Sequence, residues 1–412
     1  MTDDLKFPRV FNPNVQEGAS AQQREWLDIL DRELHRLWGL GRNLILVWAA
    51  RGAGMDILVI PHYSISDFDR KSKEEAEAAG SSALGLRPVN FMEEVIANPK
   101  QVTQGGLAHL AQMTGYDPIP VELPFVPGTD LAPELIETVV QRYSISYVED
   151  RAVALFDIVG FSLFSPLEQV TQLNSLSYSV NSAYAKMLSR DLDISFARTT
   201  TGDGYYIWNR DRSVQANVNL YHFMHLVLAD NAIARAKSSP NTTPLLRACF
   251  HMGGHYEFYQ SEGLNPAVYS YIVGDVTIEL ARMIDRAMPG QILVGEFDAP
   301  MPDRNTRQVE RIDSVEFIER TQGTLSKFEG LELSGDDVED IKCYLTGAAQ
   351  GDDAGGEEQY AIKRYTITDK HGRSRNVYNA KVNIYRSDAD PIFLGVQTTD
   401  LDGFKYDKDE FI

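Results

Sequence analysis

Two aspartates carry the first chemical signal in this chain. Asp157 ends the apolar run "RAVALFDIVGFS", and Asp203 follows 46 residues later inside "TTTGDGYYIW". The first run reads as a short buried strand. Gly202-Asp203-Gly204 reads as the turn of a hairpin between "ISFARTT" and "YYIWN". In a β-α-β-β unit the first strand and the hairpin are neighbours in one sheet, so the two carboxylates can converge at one sheet edge. Such a pair, completed by water and phosphate oxygens, suits Mg²⁺, a hard cation that takes few protein ligands. After Asp157 the chain turns through Ile158, Val159, Gly160, Phe161 and Ser162. That turn points successive N–H groups into a helix start, an arrangement that cradles anions. A carboxylate pair beside an anion cradle suggests metal-assisted phosphoryl chemistry. Each piece alone is common, since a lone Gly-Asp-Gly is usually a bare turn. No Gly-x-x-x-x-Gly-Lys-Ser/Thr loop is present, which argues against a P-loop enzyme.

The elements that must hold these residues follow from pattern. Ser165, Pro166 and Glu168 form a capping-box start for a long helix over "PLEQVTQLNSLSYSVNSAYAKML". "SVQANVNLYHFMHLVLADNAIARAK" reads as a second long helix, and "LLRACFHMGG" as a strand with a glycine ending. "DVTIELARMIDRAM" is a helix stopped by Pro289-Gly290, and "QILVG" is a strand. The order β-α-β-β-α-β-α-β predicts an α/β or α+β sandwich with helices on one side.

Upstream, residues 22–38 predict an amphipathic helix with Leu27, Leu30, Leu34 and Leu37 on one face and Gly39 as the stop. "ILVWAA" and "DILVIP" read as buried strands, and "KSKEEAEAAG" and "NFMEEVIAN" as helices. "DPIPVELPFVPGTDLAPE" carries five prolines and predicts an extended linker. A helix restarts near Asp130, with Pro133 in its first turn. Near the end, "AAQGDDAGGEEQ" reads as an acidic surface loop. "YAIKRYTITDKHGRSRNVYNAKVNIYR" reads as an antiparallel hairpin with "DKHGRS" at its turn.

Bulk properties narrow the class. The 412 residues predict two or three domains, and 43% hydrophobic content predicts packed cores. A net charge of -20 argues against nucleic acid and against an anionic membrane surface as partners. Only Cys249 and Cys343 occur, so no disulfide framework is expected. The N-terminus lacks the pattern of a secretory signal, and the longest apolar stretch is broken by Arg51 and Asp56. A soluble cytoplasmic protein is the expectation.

"ALFDIVGFS", "TTGDGYY", "FHMGG", "YIVGDVTIELARM" and "PGQILVG" occur in this order. Together they resemble the successive signatures of the class III adenylyl and guanylyl cyclase catalytic domain, over roughly residues 150–300. The resemblance implies an α+β, ferredoxin-like core in which helices pack on a mixed sheet. It implies a homodimer with composite active sites and conversion of a nucleoside triphosphate to a 3′,5′-cyclic monophosphate and pyrophosphate. By position, Asp157 and Asp203 match the metal-binding aspartates, with the backbone of Ile158 beside them, and two Mg²⁺ or Mn²⁺ ions per site are implied. Val159, Gly160, Phe161 and Ser162 match the phosphate cradle, and Arg282 matches the arginine that stabilises charge on the reacting phosphorus.

The chain departs from that pattern in three places. The base-reading position is Thr199, and its partner position is Tyr271, so neither purine code of the family is present. Tyr271 would fill a pocket more than aspartate does, and Thr199 with Arg198 could address a pyrimidine carbonyl. UTP or CTP is therefore expected, as in the bacterial anti-phage Pycsar cyclases that this chain resembles in that respect. A diverged purine cyclase is the alternative. The family's transition-state asparagine is Ile278, which cannot donate a hydrogen bond. The triphosphate-binding lysine falls at Ser334, which leaves Lys327, Lys342 or the hairpin turn with Lys370 and Arg373 to supply charge. His251 and His255 lack the spacing of a helical zinc pair.

The expected organisation is an N-terminal α/β regulatory or dimerisation domain over 1–116 and a Pro-rich linker over 117–133. A catalytic domain follows over 134–348, and an acidic loop with a C-terminal β-hairpin extension over 349–412. A silent, nucleotide-binding sensor of the same fold is the rival from another class; the presence of both aspartates favours the enzyme. A dinucleotide cyclase is disfavoured because "TGDGYY" lacks the second acid of that hairpin motif.

Overall fold

A computed structural model describes residues 19–68, 70, 91–192, 194–267, 270–302, 308–325, 328–347, 349–350, 359–360 and 362–412. The helix expected over "KSKEEAEAAG" and most of the acidic loop after residue 347 lie outside these residues. The chain divides into two compact units, Met1–Val148 with Tyr256–Ile272, and Glu149–His255 with Val273–Ile412.

The first unit is built on a three-stranded antiparallel sheet of β1 (Asn43–Ala50), β2 (Gly54–Pro61) and β3 (Ile119–Glu122). Helix α1 (Ala21–Trp38) starts at a capping box of Ser20 and Gln23 and ends at Gly39 in the left-handed region. Its leucine stripe packs on Ile45, Trp48, Met55 and Ile57 together with α4 (Pro133–Val140). Helices α2 (Phe91–Ala97) and α3 (Gln104–Thr114) close the other face over Leu46, Val47, Leu58 and Ile60. The Pro-rich stretch is not a linker. Its "IPVE" is strand β3, and Leu123, Phe125 and Leu131 are buried in the unit's core. Prolines are tolerated there because β3 pairs through one edge only. Residues 256–272 also belong to this unit, where Ser261 Oγ donates to the Leu40 carbonyl at 2.7 Å.

The second unit opens with the anticipated order. Strand β4 (Ile145–Ile158) leads to α5 (Pro166–Leu188), the hairpin of β5 (Phe196–Thr200) and β6 (Gly204–Asn209), α6 (Val214–Lys237) and β7 (Leu246–Phe258). In space these strands run β7-β4-β6-β5. A βαββαβ unit with its strands in the order fourth, first, third, second is the ferredoxin-like arrangement. Strand alternation sets the faces. Ala152, Ala154 and Phe156 join a core with α5 and α6, while Asp157 and Leu155 face the other way with Tyr206 and Thr199. Helix α7 (Asp275–Arg286) covers that second face, and Tyr206 donates to the Thr277 carbonyl at 3.3 Å.

Helix α6 is buried continuously from Ala216 to Asn231, and again at Ile233. The sheet covers one side. The other side is covered by α8 (Ser314–Leu325), so the Tyr221 ring meets Phe250 of β7 at 4.9 Å and Phe317 of α8 at 5.9 Å. A helix apolar all round is expected in such a setting. Some of its polar residues bond within the core: Asn217 donates to the Asp150 carbonyl at 3.0 Å, and Asp230 Oδ1 accepts from Ser182 at 3.1 Å and Ser334 at 3.0 Å.

Beyond β7 the sheet continues through β8 (Ile292–Gly295), parallel to β7. The β9 (Asp298–Pro302) and β10 (Val309–Asp313) hairpin leads into α8, followed by β11 (Leu331–Leu333) and β12 (Asp336–Leu345). The C-terminal hairpin, β13 (Lys363–Thr368) and β14 (Ser374–Arg386), is not an appended extension. Strand β14 lies between β8 and β12 inside the main sheet, pairing Ala380 with both Ile292 and Leu345. Such pairing joins residues far apart in sequence, so local pattern does not reveal it. No helix among the described residues is long and apolar enough to cross a membrane.

Candidate active site

Asp157 is the penultimate residue of β4 and is 6% exposed; its register partner in β6 is Gly204. The turn at Thr201–Gly204 closes with Thr201 N–H to the Gly204 carbonyl at 3.0 Å, and Gly202 takes φ +103°. Gly204 is required by proximity. A Cβ there would stand 1.9 Å from the Phe156 carbonyl oxygen. With no side chain in the way, the hairpin lies against β4, and Ile158 N–H donates to the Asp203 carbonyl at 3.0 Å. The Asp203 carboxylate accepts from Thr201 Oγ1 at 3.2 Å and lies close enough to Asp157 to bear on its ionisation. Burial raises the Asp157 carboxyl above the ordinary range. The neighbouring Arg247 opposes that shift, and Asp203 adds to it.

Arg247, in β7, was not singled out in the sequence. Its Nε donates to Asp157 Oδ2 at 2.6 Å, and its Nη1 to the Ala287 carbonyl at 3.1 Å. The available signal was one charged residue inside the apolar strand "LLRACF". Leu246, Ala248, Cys249 and Phe250 around it are buried.

After Asp157 the backbone turns at Gly160, φ +69°, into a 3₁₀ turn over Phe161–Leu163. The cradle is smaller than the sequence suggests. Ile158 N–H serves Asp203, and Val159 N–H donates to the Leu245 carbonyl at 3.0 Å. The N–H groups of Gly160, Phe161 and Ser162 are the ones an anion could use, because the first N–H groups of a helical turn have no partner within it. Helix α5 starts just beyond, with both bonds of its Ser165–Glu168 capping box formed.

The two residues expected to read a carbonyl together are parted. Thr199 shares the Asp157 face, but Arg198 sits on the opposite one. Arg198 donates to Ser177 Oγ of α5 at 3.1 Å and stacks 5.0 Å over the Tyr205 ring. Tyr271 belongs to the first unit, with its ring 6.3 Å from Phe258.

Arg282 lies on α7, with Nε 3.7 Å from Asp369 and Nη1 3.5 Å from Asp285. Asp369 anchors the "DKHGRS" turn by accepting from the N–H groups of His371 at 2.8 Å and Arg373 at 3.1 Å. Those bonds hold its carboxyl down at about 2. The turn is thus docked beside Arg282, with Lys370 and Arg373 exposed at its tip. Ile278, four residues before Arg282, is half exposed. Ser334 is committed to Asp230, Lys342 is a surface residue 3.5 Å from Asp340, and Lys327 lies outside the described residues.

The donor set at Asp157 and Asp203 fits Mg²⁺ or Mn²⁺: two hard carboxylates at one edge, with the Ile158 backbone between them. Among the described residues no group of three or more His, Cys, Asp or Glu could hold a metal. A cation here would complete its shell with water or phosphate, as Mg²⁺ commonly does.

No protein-family profile matches the chain, and no curated protein matches it. Among solved structures it is similar to the guanylate cyclase domain of RhGC from Catenaria anguillulae in complex with GTP, at 15% identity and TM-score 0.29, covering 41% of this chain and 97% of that one. It is similar also to the adenylyl cyclase CyaB from P. aeruginosa, at 11% identity and TM-score 0.31, covering 60% of this chain and 97% of that one. A third is the guanylyl cyclase Cya2, at 13% identity and TM-score 0.29, covering 57% and 92%. The ferredoxin-like assignment rests on the strand order itself.

Proposed function

We propose that the chain is a nucleotidyl cyclase that converts a nucleoside triphosphate to a 3′,5′-cyclic monophosphate and pyrophosphate. The observation that carries this reading is the meeting of Asp157, in β4, and Asp203, in the turn before the adjacent β6, where Gly204 carries no Cβ to clash with the Phe156 carbonyl. Divalent cations bound there would lower the pKa of the ribose 3′-hydroxyl and neutralise the triphosphate. The 3′-oxygen forms its bond to the α-phosphorus as the bond from that phosphorus to the β-phosphate bridging oxygen breaks. Pyrophosphate carries away that electron pair, and the 3′-hydroxyl proton passes to solvent or a phosphate oxygen.

The protein's part is to hold and orient. Asp157 and Asp203 fix the cations, and the N–H groups of Gly160, Phe161 and Ser162 face the phosphates. Arg282 supplies positive charge to the reacting phosphorus, a preorganised role. Lys370 and Arg373 extend that charge from the turn beside it. Two copies completing each other's sites would bring Arg282 of one to the aspartates of the other.

UTP or CTP is the favoured substrate, because Thr199 is small and neutral where a purine reader would carry lysine or glutamate. Arg198 takes no part in base recognition, since it faces away from Thr199 and is engaged with α5. A role in anti-phage signalling goes with a pyrimidine product.

The test is product analysis by mass spectrometry for purified chain with each of the four nucleoside triphosphates and Mg²⁺ or Mn²⁺. Cyclic UMP or cyclic CMP is expected. Cyclic AMP or cyclic GMP alone would refute the pyrimidine preference and keep the cyclase. Nucleotide binding with no cyclic product under either metal would make this a silent sensor domain.

A further inference from the structure

We propose that Arg247 is a positioning residue of this site, fixing how Asp157 is presented and tying it to the end of the helix that carries Arg282. The inference rests on the reading of Asp157 and Asp203 as cation-holding. Arg247 occupies one carboxylate oxygen of Asp157 through Nε at 2.6 Å, which leaves the other oxygen for a ligand. Its second contact, Nη1 to the Ala287 carbonyl at 3.1 Å, lands on the C-terminal cap of α7. The last carbonyls of a helix have no partner within it and sit at the negative end of its dipole, so a guanidinium there is doubly favoured. Arg282 lies on the same helix, one turn and a half upstream.

The chemistry of the fork explains why arginine suits the position. A planar guanidinium can bond a carboxylate and a carbonyl at once, in fixed directions. Lysine would place one compact charge near either partner. Both contacts are partly shielded: the Arg247 side chain is 28% exposed and that of Asp157 9%. Carboxylates that hold cations are commonly fixed by such partners, and losing one typically costs about 10–100-fold in metal affinity. A bare structural ion pair would carry no such effect.

The experiment titrates Mn²⁺ alone into the full chain, following free Mn²⁺ by electron paramagnetic resonance. Wild type, Arg247→Gln, Arg247→Lys and Asp203→Asn are compared, each checked for folding by circular dichroism. Arg247→Gln is expected to weaken Mn²⁺ binding about 10–100-fold. Arg247→Lys, which keeps the charge and loses the two-ended geometry, is expected to fall between wild type and Gln. Should burial of an unpartnered Asp157 prevent Arg247→Gln from folding, the Lys variant decides. Binding by Arg247→Lys equal to wild type, or by Arg247→Gln equal or tighter, overturns the positioning role. If wild type binds Mn²⁺ no better than Asp203→Asn, the reading of the aspartates falls instead, and that result is independent of Arg247.

Discussion

The α-carbon of Gly204 lies so close to β4 that an added methyl group would stand 1.9 Å from the Phe156 carbonyl oxygen. The glycine that looks like ordinary turn chemistry is therefore what lets Asp203 reach Asp157. Gly204→Ala is expected to push the hairpin off β4, destabilising the unit by about 1–3 kcal/mol and abolishing Mn²⁺ binding and product formation. Thermal unfolding and the Mn²⁺ titration measure the two effects. Wild-type metal affinity in this variant would show that the close approach is not needed.

Asp203→Ala should behave differently. Asp203 sits in a turn and is not a core residue, so its loss should move the melting temperature little while cyclic product falls to background. A melting scan beside the product assay separates the two. Full turnover by this variant would end its assignment as a cation ligand.

Ile278 offers a gain-of-function test. It is 47% exposed on α7, so Asn fits there without a change in the core. One well-placed donor is typically worth about 10²–10³ in rate. Ile278→Asn is expected to raise kcat by at least tenfold with little change in KM. An unchanged kcat would mean that another group already fills this role.

If Arg282 has the proposed role at the reacting phosphorus, Arg282→Ala should lower kcat far more than KM. The variant also frees Asp369 from one of its partners. Nucleotide affinity measured without turnover distinguishes the two consequences: it should remain near wild type if Arg282 acts chiefly on the transition state.

Acid stability gives a prediction independent of the active-site reading. His225 is buried and His251 half-buried, and desolvation pushes their imidazoles down to about 3 and about 4. Unfolded, both would bind protons near pH 6.5, so the unfolded state gains protons first as pH falls. Stability contributed by these neutral histidines is complete above about 6.5 and is lost progressively toward pH 4. The melting temperature should therefore fall across that window, and His251→Gln should flatten the fall. An equally steep profile in the variant would show that other groups set it.

The sequence was most readable where chemistry and local pattern coincide. The strand ending at Asp157, the Gly-Asp-Gly hairpin and the capping box at Ser165 all depend on neighbours in the chain, and each forms where expected. Arg247 was missed because its partners, Asp157 and Ala287, are 90 and 40 residues away. Arg198 was misjudged because adjacent strand residues point to opposite faces, and only the sheet shows which face is which. The proline-rich stretch misled for a related reason. Its prolines forbid a central strand but not an edge one, and its buried Leu123 and Phe125 outweigh them. The place of β14 was beyond local reading, because its partners precede it by dozens of residues.

That late strand has a bearing on when the protein can work. Synthesis proceeds from the N-terminus, and β8, although flanked by β7 early, waits for Ala380 and its neighbours on its other edge. The turn that docks beside Arg282 arrives in the same late segment. A nascent chain that stops before Asp369 would thus carry both aspartates yet leave β8 open along one edge and Arg282 without that carboxylate beside it.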